Sequence, residues 1–106
     1  MENFIERQLH LRGGGQVTVR FSQPRQDGDD YRCEYQIEWP DRQRGFHAYG
    51  VDSVQALILA MQNAHVDLLT SAENRSGALS WLGQRELGLP LAESLKPQDC
   101  SAPESN

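Results

Sequence analysis

Apolar and polar residues alternate along the first half of the chain with the two-residue period of half-buried β-strands. The alternation predicts four strands, over residues 4–12, 17–21, 31–39 and 43–49. A run of three glycines, a polar loop over residues 22–30 and a Pro-Asp pair separate these strands. Because every connection is short, the pattern predicts a four-stranded antiparallel meander.

The period becomes helical after Gly50. Asp52 is a suitable N-cap, and the residues that follow predict one long helix over residues 52–73. Residues 79–91 remain partly apolar, but their glycines and proline predict an irregular segment rather than a second long helix. The expected fold is therefore α+β, with the helix packed on one face of the sheet and an irregular C-terminal segment.

The strand period and the helix period together predict the hydrophobic core. Its expected members are Ile5, Leu9, Leu11, Val17, Val19, Phe21, Tyr35, Ile37, Phe46, Val54, Leu57, Ile58, Met61, Leu68 and Trp81. The chain has 106 residues, which suits a single domain over residues 1–93. Residues 94–106 are polar and contain two prolines, a composition that predicts a disordered tail.

The charge of the chain narrows the classes of function. Ten basic and fifteen acidic side chains give a net charge of −5, so we expect no nucleic-acid partner, because such proteins carry clustered Lys and Arg. Residues 51–106 have three basic and seven acidic residues, a balance of −4. No apolar run is long enough to span a membrane, and the charged N-terminus does not resemble a signal peptide. We therefore expect a cytoplasmic protein without a membrane partner.

The sequence contains no recognisable catalytic, metal-binding or cofactor motif. The three histidines lack ligand spacing, and the acidic loop at residues 27–30 lacks the order of a calcium loop. His65 falls on the apolar helix face, where we expect a buried histidine hydrogen-bonded to a strand side chain or carbonyl. Cys33 has the parity of buried strand residues and is expected to be inert. We therefore expect no cofactor, no metal and no catalytic residues, and an enzyme is the less favoured class.

Two groups of residues are candidates for binding a protein partner. On the sheet, Glu34 and Glu38 of the third strand can form a polar patch with His47 and Tyr49 of the fourth. On the outward side of the helix, Leu59 and Val66 form a narrow apolar strip beside Gln62. The strip is covered by residues 81–89 within the monomer, available for self-association or a partner, or simply exposed.

Three segments of the chain resemble a family of small, uncharacterised bacterial proteins. These segments are residues 27–37, the helix start YGVDSVQAL at residues 49–57, and a late WLG…LGLP segment over residues 81–90. The resemblance covers about residues 3–91 and implies no activity. We expect a small protein-interaction module, with a toxin-neutralising (immunity-type) protein as its most concrete form. The alternative is a homodimeric regulatory or small-ligand-binding domain.

Overall fold

The computed structural model describes residues 4–91. Six strands and two helices follow one another along the chain: β1 (Ile5–Leu11), β2 (Gln16–Phe21), β3 (Arg25–Asp27), β4 (Asp30–Glu38), β5 (Gln43–Gly50), α1 (Ser53–Leu69), α2 (Ala72–Arg75) and β6 (Leu79–Ser80). The predicted tail over residues 94–106 lies outside the described residues. No helix within residues 4–91 is long and apolar enough to cross a membrane.

The fold is α+β, with one antiparallel sheet and one long helix. Strands β1, β2, β4 and β5 lie side by side in chain order and form the predicted meander. The predicted count of four strands is wrong, because β3 also pairs with β4 and β6 pairs with β1. The strand β3 forms inside the predicted polar loop because Gly28, at φ +68°, makes a tight turn between Asp27 and Asp30.

One face of the sheet carries the core. The register places Leu9 beside Val17, Val19 beside Ile37, and Phe21 beside Tyr35, and all six side chains are buried. These six predictions are confirmed, as is Leu68, while Leu11, Leu57, Met61 and Trp81 are half-buried. The predicted burial of four residues is wrong, since Ile5, Phe46, Val54 and Ile58 are exposed.

Alanines, rather than the larger aliphatic residues, bring α1 down onto the sheet. Ala56, Ala60 and Ala64 follow one another at a spacing of four and are completely buried where the helix crosses β4 and β5. Small side chains allow a close approach, and this orientation turns Val54 (63% exposed) and Ile58 (41% exposed) toward solvent. The predicted helix face is therefore rotated from the observed one.

Polar side chains define where the helix begins and where it ends. Asp52 caps its start, as predicted, by accepting a hydrogen bond from the backbone N–H of Gln55 at 2.8 Å. The helix ends at Leu69 rather than at residue 73, because Thr70 and Ser71 donate their hydroxyl hydrogen bonds back to helix carbonyls. Ser71 then caps the short helix α2.

Residues 81–91 form the predicted irregular segment and return to β1. Arg7 projects from β1 on the same sheet face as Val19, and its guanidinium lies 3.9 Å from the centre of the Trp81 ring. Its Nη1 donates hydrogen bonds to the carbonyl of Leu87 at 2.8 Å and to that of Gly88 at 2.9 Å. An inward arginine on the first strand thus holds the last described segment in place.

His65 is buried, as predicted, but its partner differs from the expected one. Its Nδ1 lies 3.1 Å from the carbonyl oxygen of Pro90. A carbonyl only accepts, so Nδ1–H donates this hydrogen bond. The carbonyl belongs to the irregular segment and not to a strand, so His65 joins the helix to the end of the described chain.

Candidate functional site

The sheet face opposite α1 is open and polar. The residues on it have the opposite parity to the core, and ion pairs join neighbouring strands across it. Arg20 of β2 contacts Glu38 of β4 at 2.7 Å and Glu6 of β1 at 3.3 Å. Such pairs are partly solvent-exposed, so they order the side chains of this face more than they stabilise the fold.

Three of the predicted binding residues meet on this face. The register of β4 and β5 places Glu34 directly opposite His47. The His47 ring contacts Tyr49 edge to face, with ring centres 5.4 Å apart. The Tyr49 hydroxyl donates to a carboxylate oxygen of Asp27 at 3.2 Å, which connects β5 to the β3–β4 turn. The structure therefore brings together three of the four residues of the predicted patch, Glu34, His47 and Tyr49, which we call the β5 cluster.

Two shallow hollows adjoin the β5 cluster. The first has a volume of about 350 Å³ and is lined by polar side chains of β3 and β4 and the chain before them, including Arg25, Arg32 and Glu34. Arg32 donates to Glu34 at 3.1 Å. The second, of about 270 Å³, lies between β4 and β5 against Phe46 and His47. Both hollows are open and mixed in charge, which suits surface recognition more than an enclosed reaction.

The remaining predicted binding residues lie elsewhere. Glu38 is on the same face but four residues along β4 from Glu34, about 13 Å away, where it pairs with Arg20. Leu59, Gln62 and Val66 lie on α1, in the layer behind the sheet, and all three are half-buried. The seven predicted residues therefore belong to separate surfaces.

The expected cover of the helix strip by residues 81–89 is not what the structure shows. Leu89 lines a hollow with Met61, and Pro90 contacts His65. Leu59 projects from the helix about 160° away from Met61. The irregular segment therefore packs on the other side of the helix, although Leu59 itself contacts the core.

Burial keeps two potentially reactive groups protonated. Burial raises the pKa of the Tyr35 hydroxyl, and its 2.6 Å hydrogen bond to Asp67 raises that pKa further. Burial likewise raises the pKa of the Cys33 thiol, which donates to the carbonyl of Ser22 at 3.3 Å. Among residues 4–91, no group of three or more His, Cys, Asp or Glu side chains could hold a metal ion.

Phe46 is the surface residue that sequence reasoning missed. Its side chain is 61% exposed although it has the parity of the core. Its ring stacks on His47 with ring centres 4.5 Å apart. The available signal was topological: Phe46 lies on the last strand of the meander, which is an edge strand with nothing packed beside it in the predicted fold.

Comparison with known proteins found one family. Residues 5–91 match the family model described as a domain of unknown function (DUF6968). The searches of curated proteins and of solved structures found no match.

Proposed function

The chain belongs to the DUF6968 family of domains of unknown function, and we propose that it acts as a small protein-interaction module in the cytoplasm. The observation that carries this proposal is the β5 cluster on an open sheet face. Tyr49 is 44% exposed at its margin, and tyrosine is among the residues that contribute most to protein interfaces.

The sheet supports such a role because it holds these side chains in place before a partner arrives. Backbone pairing fixes β4 and β5 over eight residue pairs, and the contacts of Tyr49 with Asp27 and His47 restrict its ring. Side chains that are already ordered lose less conformational entropy on binding.

The charge of the protein favours a basic partner. The net charge is −5, and an acidic protein is steered electrostatically toward a basic one. The sheet face itself is mixed in charge, since Glu34 of the β5 cluster pairs with Arg32 and Asp27 lies at the border. The steering therefore rests on the net charge of the whole chain. A toxin-neutralising protein that covers a basic toxin, such as a nuclease, is the most concrete form of this proposal.

The test is binding to the product of a toxin-like gene beside the gene for this protein. We expect calorimetry to show binding, and co-expression to protect cells from the toxin. Tyr49→Ala should weaken binding at least tenfold, whereas Gln16→Ala, at the far end of the same face, should leave it unchanged. Absence of both binding and protection, or equal effects of the two variants, would contradict the proposal.

Small-ligand binding is the second candidate, favoured by the 350 Å³ hollow beside Arg25 and Arg32. That volume is at the lower end of the range of ligand pockets. A thermal-shift screen of small anionic metabolites tests it, with Arg32→Gln as the variant that should abolish any stabilisation. A screen without a concentration-dependent shift would count against this candidate.

A further inference from the structure

Strand β5 is an edge strand whose outer side is unoccupied by any other described part of the chain. Among residues 4–91, β5 pairs with β4 alone. Two backbone hydrogen bonds fix which groups point outward. The N–H of Trp39 donates to the backbone carbonyl of Arg42 at 2.8 Å, and the N–H of Ser22 donates to the backbone carbonyl of Glu34 at 2.9 Å. The backbone N–H and C=O groups of odd-numbered residues of β4 therefore form hydrogen bonds with β5, and those of even-numbered residues point toward β2.

The alternation of an antiparallel ladder then assigns the outward groups of β5. Its even-numbered residues bond to β4, so the N–H and C=O groups of the odd-numbered residues point away from the sheet. These residues are Gln43, Gly45, His47 and Tyr49. They form a continuous row of donors and acceptors available to another strand.

The features that usually protect such an edge are missing from β5. Edge strands are commonly short, charged, bulged or interrupted by proline. In contrast, β5 is eight residues long, contains no proline and has Arg44 as its one formal charge. Its central residue, Phe46, is a largely exposed aromatic.

We propose that a second copy of this chain pairs with β5, antiparallel, about a twofold axis that passes through Phe46. In this register Gln43 lies opposite Tyr49 of the other copy, and Gly45 lies opposite His47. Every outward backbone group of residues 43–49 then finds a partner. The four pairs exchange two hydrogen bonds each, about eight in all.

The side chains of β5 are complementary to themselves in this register. Arg44 lies opposite Ala48 of the other copy, and the two copies of Arg44 are about 14 Å apart along the strands, so like charges do not meet. Gly45 leaves room for the His47 ring. Phe46 has the parity of the helix side of the sheet and lies opposite Phe46 of the other copy as a non-hydrogen-bonded pair. For the two side chains to come into close contact there, each ring leaves its stack on His47.

The side of α1 that faces this edge is compatible with a second copy. The Met61 side of the helix lines a hollow with Ile5 and Phe21 of β1 and β2, so the Leu59 side faces toward the β5 edge. Half-buried Leu59 would thus lie near the contact between the two Phe46 side chains. This fit of the strand to its own sequence favours a second copy over an unrelated strand.

Charge substitution at Phe46 tests the proposal. Wild-type protein should sediment at twice its 12.0 kDa chain mass, and Phe46→Lys and Phe46→Glu should each sediment as monomers. Mixing the two variants should restore the dimer, because residue 46 of each copy lies opposite residue 46 of the other. Val54→Lys, a charge at an equally exposed site away from β5, should leave the dimer intact.

The outcomes separate this proposal from the proposed function. Unchanged circular dichroism would show that both Phe46 variants are folded. A wild-type protein that remains monomeric at about 1 mM, where even a weak dimer of millimolar Kd would be populated, would overturn the inference. If the mixture of Phe46→Lys and Phe46→Glu stays monomeric, or if Val54→Lys dissociates the dimer, the twofold axis does not pass through Phe46 and the proposal is overturned. Tyr49→Ala retains its backbone groups and should stay dimeric even if it loses the protein partner.

Discussion

Replacement of Arg7 by methionine tests whether the irregular C-terminal segment is held by the first strand. Methionine retains an unbranched apolar stem, so the packing of the side chain beneath the segment is largely preserved. The variant loses the stacking on Trp81 at 3.9 Å and the hydrogen bonds to Leu87 and Gly88 at 2.8 and 2.9 Å. The effect on stability is therefore that of the guanidinium alone.

The expected loss follows from these contacts. A hydrogen bond from a charged group contributes about 1.5–3 kcal/mol to stability. The hydrogen bond from Arg7 to Leu87 is partly buried, whereas the one to Gly88 is exposed to solvent. Stacking on an accessible aromatic ring adds about 0.5–1 kcal/mol. Because water can replace the exposed hydrogen bond to Gly88, only the bond to Leu87 and the stacking count, and we expect a net loss of about 2–4 kcal/mol. In a domain of this size that lowers Tm by about 10–20 °C.

Urea unfolding followed by tryptophan fluorescence measures this loss. Arg12→Met is the matched control, since Arg12 also donates to backbone carbonyls, at 3.2 Å and 3.5 Å, but from an exposed position. We expect the control to lose less than about 1 kcal/mol. A loss below about 0.5 kcal/mol in Arg7→Met, or equal losses in the two variants, would refute the role assigned to Arg7.

Three further predictions concern packing, ionisation and thiol reactivity. Ala60→Leu should lower the unfolding free energy by about 1–3 kcal/mol in thermal denaturation, because α1 lies directly on the sheet there. The hydrogen bonds from Arg42 hold the pKa of Glu73 below its ordinary value. The pair therefore stabilises the fold above the ordinary pKa of the carboxyl, by less than about 1 kcal/mol, and acid titration should bring wild type and Glu73→Gln together as pH falls through the lowered pKa. In a Cys100→Ser protein, buried Cys33 should react with a thiol reagent only after unfolding.

The order of the elements could be predicted from the sequence, but the rotation of the helix could not. Strand periodicity correctly located β1, β2, β4 and β5, because burial of one sheet face imposes an exact period of two. The helix wheel favoured Val54 and Ile58 because hydrophobicity scales rank them above alanine. The close approach of α1 to the sheet selected Ala56 and Ala60 instead, and that distance is a tertiary property absent from the helix pattern.

The candidate site was predictable to the extent that it depends on parity and neighbouring strands. These two rules place Glu34, His47 and Tyr49 on one face, and the register confirms their proximity. The strand β3 was missed because three paired residues in a polar loop have no hydrophobic period. The exposure of Phe46 was missed because alternation identifies a face of the sheet but not the extent of the helix that covers it.

The contacts of Arg7 also constrain the order of events during synthesis. The two hydrogen bonds of Arg7 join residues that are separated by 80 and by 81 positions in the sequence. The strand β1 is therefore synthesised long before the carbonyl groups that its arginine binds. Until residue 88 has been synthesised, the apolar face of the nascent sheet carries the charged side chain of Arg7. Only water can then accept the hydrogen bonds of its guanidinium. Closing so long a loop is slow compared with forming the neighbouring strand pairs. The meander and α1 can therefore assemble first. When the final segment arrives, its carbonyls accept the hydrogen bonds of Arg7, and the arginine then links the first strand to the last described segment.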